Sequence, residues 1–190
     1  MATIGDEIAN PRTGQRMIFQ TITPELLEIE TWNPPHVPPE SEHVHPRQES
    51  GAQVLAGSLR FSVRGTERDV GPGESIAIPA GAPHHFWNPG DQDAHAIQFM
   101  RPPLKTIAFF ETYFALARDG KLDEKGMPSL LQLAVMLPVF KDEIRPTSPP
   151  WPLLKTTAAL IAPLARLRGY RATHPYRQHS TTNSALVSGS

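Results

Sequence analysis

The chain has 190 residues, 39% of them hydrophobic and 19% charged, with a formal net charge of −1 at pH 7. This is the composition of a folded domain with an extension, and the lack of a basic bias argues against nucleic acid as a partner. There is no cysteine, which excludes disulfides, thiolate nucleophiles and cysteine-held zinc, so any transition metal must be held by His, Asp, Glu or neutral oxygen.

The first stretch, MATIGDEIANPRTGQRM, has an early acid pair and no apolar run, unlike a secretory signal. No stretch approaches the roughly 20 apolar residues that cross a bilayer, so a cytoplasmic location is expected. Residues 17–32 read as two short strands around Thr23–Pro24. The following NPPHVPPESE is too rich in proline for a ladder. In residues 53–63, Leu59, Phe61 and Val63 alternate with polar residues, as in a half-buried strand. Arg64–Gly65 is a turn signal, 66–70 a return strand, and the GPG at 71–73 a tight turn. Further strands are expected at 74–81, stopping at Pro79, at 84–88, and at 95–100. Short strands with turn signals every 8–12 residues or so indicate a small antiparallel sandwich or barrel.

The pattern changes after Arg101–Pro102–Pro103. Residues 104–120 have helical apolar spacing and end at Gly120. A second helix is expected over 129–144, bent or broken near Pro138, and a third over 149–170, interrupted at Pro163. The third carries Lys155, Arg166, Arg168 and Arg171 beside its apolar residues. A basic amphipathic helix can lie on an anionic membrane surface, but cover for the barrel or for a dimer partner is the plainer reading. The division is therefore 1–102 for the barrel, 103–170 for a helical extension and 171–190 for a disordered tail without periodicity.

His43 and His45 stand one residue apart and share a strand face. His84 begins a later strand and can supply a third imidazole from across the barrel. Three histidines on rigid strands suit zinc, copper, iron or nickel and leave positions open for a reactant. Pro79 and Pro83 stiffen the loop that delivers His84, and the Asn88 side chain can close the next turn.

These residues resemble the two motifs of the cupin superfamily. The first is carried by His43, His45 and Gly57, and the second by Gly73, Pro79, Gly81, His84 and Asn88, over roughly residues 15–102. The resemblance implies a mainly β, jelly-roll-like antiparallel barrel, here followed by about three C-terminal α-helices. It implies a divalent transition metal (Fe, Mn, Zn, Ni or Cu) on His43, His45, His84 and a glutamate. Counting back from Gly57 places Ser50 at the glutamate's position, whereas counting forward from His45 reaches Glu49. Both stay open, because Pro46 disturbs the pleat between them. Gln48 is a candidate partner for a ligand histidine, and Gln98 a candidate for the pocket wall.

The expected function is metal-dependent chemistry on a small organic molecule, oxygenase-like or Lewis-acid, as in a dioxygenase or isomerase. Alternatives are a metal-poor binding or sensing protein and a peripheral membrane or interaction protein using the helices. Metal-free sugar epimerases of this family pair a histidine with a tyrosine acid. Residues 1–102 contain no tyrosine, which counts against that activity. No catalytic acid or base can be named. A homodimer through edge strands is expected, as is usual for such barrels.

Overall fold

The computed structural model describes residues 1–176. One sheet orders β1 (Glu7–Ala9), β2 (Arg16–Ile22), β3 (Leu27–Asn33), β10 (Ala94–Arg101), β5 (Glu49–Ala56) and β8 (Ser75–Ile78). The other orders β11 (Arg145–Pro146), β4 (His43–Val44), β9 (His84–Trp87), β6 (Leu59–Val63) and β7 (Thr66–Val70). Neighbouring strands pair antiparallel throughout. Period-two burial makes this architecture: β3 turns Leu27, Ile29, Thr31 and Asn33 inward, and β10 turns Ala94, Ala96, Gln98 and Met100 inward. Val54, Leu59, Phe61, Val70 and Ile78 fill the space between the sheets at one end.

The expected strand over 53–63 is two strands. Gly57 breaks it with φ of 72°, and a Cβ there would lie 2.9 Å from the Asp93 carbonyl. Only glycine fits this turn, where the chain leaves one sheet for the other.

Three helices follow: α1 (Thr106–Arg118), α2 (Leu130–Met136) and α3 (Trp151–Leu167). Ile107 and Phe114 of α1 pack with Ile8, Met17, Phe19, Leu27 and Ile29 of the first sheet. On its other side Leu116 meets Met136 and Phe140. The expected helix over 129–144 is shorter, because α2 ends before Pro138. The chain then reaches β11, whose Arg145 and Pro146 pair with Val44 and His43. The extension thus adds a strand to the histidine-bearing sheet. The expected interruption of the third helix is absent, as α3 continues through Pro163. Pro163 and Ala159 both lie on the exposed side, so the carbonyl that lacks its donor is on the solvent side.

Residues 177–190 of the expected tail lie outside the described residues. Residues 171–176 run back to the barrel. There the Tyr176 hydroxyl accepts from the Ala9 amide and donates to its carbonyl, each at 3.2 Å.

Candidate metal centre

The sheet register brings the histidines together. His43 on β4 is the direct partner of His84 on β9. His45 follows two residues later on the same face, and all three are buried. Ring centroids are 4.6 Å apart for His43 and His84, and 5.0 Å apart for His45 with each of the others. One nitrogen from each ring lies within 4.8 Å of the other two.

The other nitrogens determine the tautomer. Nδ1 of His43 faces the Ser41 carbonyl at 3.0 Å, that of His45 the Glu143 carbonyl at 2.5 Å, and that of His84 the Ala82 carbonyl at 2.9 Å. A carbonyl only accepts, so each Nδ1 carries the proton and each Nε2 keeps a lone pair. Burial, reinforced by the charges of His45 and His84, pushes His43 down to about 3. Burial takes His45 to about 4 against the raising effect of the Glu143 carbonyl, and it also lowers His84. At neutral pH the cluster is three neutral imidazoles with oriented lone pairs, the donor set that divalent transition ions take.

The two candidate carboxylate positions separate clearly. Glu49 is half-exposed and sits 3.5 Å from the Arg101 guanidinium, its cross-strand neighbour. Ser50 is 4% exposed, lines the histidine cavity, and its hydroxyl has no hydrogen-bond partner among the described residues. A turn at Pro46–Arg47 resets the alternation between the histidines and β5, so inward positions pass from odd to even numbers. Next to Ser50, Gly51 approaches β8 so closely that a Cβ would fall 2.1 Å from the Ile76 carbonyl.

Gln48 is fully buried but turns away from the rings. Its amide nitrogen reaches the carbonyls of Pro102 at 2.7 Å and Pro103 at 2.9 Å, and the Thr106 hydroxyl at 2.9 Å. It ties the histidine segment to the start of α1 rather than holding a ligand ring. Gln98 does line the cavity, with a buried side-chain nitrogen that lacks a partner among the described residues. Gly81 joins the two motifs, its amide donating to the His45 carbonyl at 2.8 Å. The Asn88 side chain closes its turn by accepting from Gly90 and donating to Gln92 and Asn33.

The histidines line a cavity of about 540 Å³, within the usual range for an organic ligand. Much of its wall comes from the extension: Phe109, Phe110 and Phe114 of α1, Met136 of α2, and Phe140 beyond it. Tyr113 also lines it, donating to the Gly126 carbonyl at 3.0 Å, and burial followed by the Glu40 charge pushes its hydroxyl up to about 12. A tyrosine thus lines the cavity from α1, although residues 1–102 contain none. Glu143 is 4% exposed. Its carboxylate accepts the Lys105 amide at 3.0 Å through one oxygen, and the other oxygen has no partner among the described residues. The 109, 110, 113, 114 spacing on α1 marks a buried face in the sequence, but nothing local says that the face roofs a barrel.

Residues 31–100 match the family model of the Cupin domain. Similar solved structures include KdgF from Halomonas sp., at 19% identity and a TM-score of 0.45, covering 50% of this chain and 85% of that one. TT1209 from Thermus thermophilus has 25% identity and a TM-score of 0.45, covering 49% and 87%. An RmlC-like cupin from Shewanella frigidimarina has 18% identity and a TM-score of 0.45, covering 53% and 86%. No curated protein sequence matches the chain. Residues 31–100 thus carry a cupin domain, set within the two-sheet barrel described above.

Proposed function

We propose that the protein binds one divalent transition ion through Nε2 of His43, His45 and His84 and acts on a largely apolar small organic molecule held in the adjoining chamber. The observation that carries this reading is the set of three Nδ1–carbonyl hydrogen bonds, which leaves three neutral, buried nitrogens facing one another. Such an ion supplies Lewis-acid or oxygen-activating chemistry when bound. The chain's own residues bind and orient the substrate. Phe109, Phe110, Phe114 and Phe140 exclude water from its apolar body. Ser50, Gln98 and Glu143 present a hydroxyl, an amide nitrogen and a carboxylate oxygen that a substrate or ordered water can satisfy.

Cobalt(II) loading tests this directly. The wild type should give visible d–d bands of a nitrogen-ligated, low-coordinate ion, and His84→Ala should lose them. Bands that persist unchanged in His84→Ala and His43→Ala would refute the ligand set. A second reading, a chamber that binds its ligand without a metal, draws support from Ser50 standing where the family's glutamate is expected. Retention of ligand affinity in a histidine variant would favour it.

A further inference from the structure

The proline-rich segment between β3 and β4 forms no strand, yet Val37, Pro38, Pro39 and Glu40 all line the chamber. Two consecutive prolines restrict the backbone just before Glu40. Just after it, the Thr147 hydroxyl donates to the Glu42 carbonyl at 3.2 Å and to the Glu42 carboxylate at 2.7 Å. Glu40 is thus presented to the chamber by a segment restrained on both sides. Its side chain is exposed, but the protein crowded around it pushes its carboxyl up to about 7. Its exposure is therefore toward the chamber rather than toward bulk water.

This carboxylate has no hydrogen bond and no ion pair among the described residues. Glu42 and Glu143 of the same wall are engaged, by the Thr147 hydroxyl and the Lys105 amide. A carboxylate desolvated by protein and left unpaired costs the folded chain free energy, and a ligand that pairs with it accounts for its presence. Its surroundings select the sign of that ligand. The Glu40 charge acts on Tyr113 of α1. The Tyr113 proton is committed to the Gly126 carbonyl at 3.0 Å, so its oxygen offers the chamber lone pairs only. The Tyr113 ring stacks with Phe109 at 6.2 Å between centroids, and Phe109 meets Phe110 at 5.7 Å. Aromatic faces attract cations. A carboxylate, phenolic lone pairs and aromatic faces all favour a positively charged group with N–H donors. The Arg12 charge also reaches Tyr113, but its guanidinium donates to the Glu124 carbonyl. The position is separate from the histidines, since the carboxylate whose charge acts on His84 is Glu42.

We propose that Glu40, Tyr113 and Phe109 form a second subsite of the chamber that takes a protonated amine, so that the substrate is an apolar molecule with an ammonium group at the end away from the histidines. This rests on the reading of the chamber as a site for an organic molecule and names the class of that molecule. It does not require the metal.

The test is calorimetric titration of the full chain, metal-free and zinc-loaded, with phenylbutylamine, phenylbutanol and phenylbutanoate. The amine should bind about tenfold or more tighter than the alcohol, as a charge-assisted bond does over a neutral one. Glu40→Gln should remove that preference and leave the alcohol's affinity unchanged, whereas Glu124→Gln, at an exposed position of the wall, should keep it. A free amine can also ligate an ion, so the metal-free titration decides. A preference that holds there and in His84→Ala keeps the subsite even where the metal reading fails. Equal affinity for amine and alcohol, tightest binding of phenylbutanoate, a preference seen only with zinc, or one that survives Glu40→Gln overturns the proposal. So does failure of all three probes to bind. A lower melting temperature in Glu40→Gln would assign Glu40 to holding its own segment, with the same consequence.

Discussion

The backbone carbonyl of Glu143 accepts the Nδ1 proton of His45 at 2.5 Å. A residue of the extension thus orients a histidine of the barrel, while the same residue's carboxylate accepts the Lys105 amide at the start of the helical region. Glu143→Ala removes the second bond and loosens the segment that supplies the first. Metal affinity should fall by about 10–100-fold, the usual effect of losing a group that orients a ligand. Glu143→Gln, which keeps an acceptor for Lys105, should lose less. Zinc titration with a competing chelator measures both, and equal losses in the two variants would show that the acceptor is not what matters.

Ser50 lies inside the cavity with its hydroxyl unpartnered among the described residues, and Glu49 lies outside against Arg101. Ser50→Glu should raise metal affinity on the order of tenfold, because a carboxylate beside a divalent ion gains more than its desolvation costs. The same change should destabilise the metal-free protein, where that charge is buried alone. Glu49→Gln should leave metal affinity unchanged. Calorimetric titration of both variants checks the assignment, and a loss of affinity in Glu49→Gln would reverse it.

Stability of the metal-free protein should fall on the acid side. His43 and His45 titrate at about 3 and about 4 when folded, against an ordinary value of 6.5, and His84 is also lowered. Between these values the unfolded chain binds protons that the folded chain refuses. Their contribution is therefore intact above about pH 6.5 and is lost progressively down to the folded values, at ~1.4 kcal/mol per pH unit for each proton. Urea midpoints from pH 7.5 to 4.5 should show this slope, and His43→Phe should flatten it. A pH-independent midpoint would contradict the buried neutral state.

Gln48 is the donor for three acceptors at the junction of barrel and extension. Gln48→Leu removes that donor from buried carbonyls and should cost about 2–3 kcal/mol. Limited proteolysis should then cut more readily in the extension. A change below about 0.5 kcal/mol would mean that the junction is held by the apolar packing of α1 alone.

The barrel was legible because its signals are local. Period-two alternation marks β3, β6 and β10, and the spacing of His43, His45, Gly81 and His84 marks the two motifs. The carboxylate question was not legible, because the turn at Pro46–Arg47 interrupts the alternation on which a parity count depends. The cavity roof was hidden for a different reason. Phe109, Tyr113, Phe140 and Glu143 line the histidine cavity only through tertiary docking, and β11 is two residues long, too short to leave a pattern. The packed face of α3 was not legible either, since its alanines rather than its larger leucines are buried.

The central claim is that His43, His45 and His84 form a working metal centre without help from Glu49. Elemental analysis of untagged protein, purified without chelator, tests it most directly. We expect about one equivalent of iron, manganese, zinc, nickel or copper per chain, from three imidazoles sharing one ion, retained in Glu49→Gln and lost in His45→Ala. A metal-free protein that stays metal-free after reconstitution, or one whose metal survives His45→Ala, would contradict it.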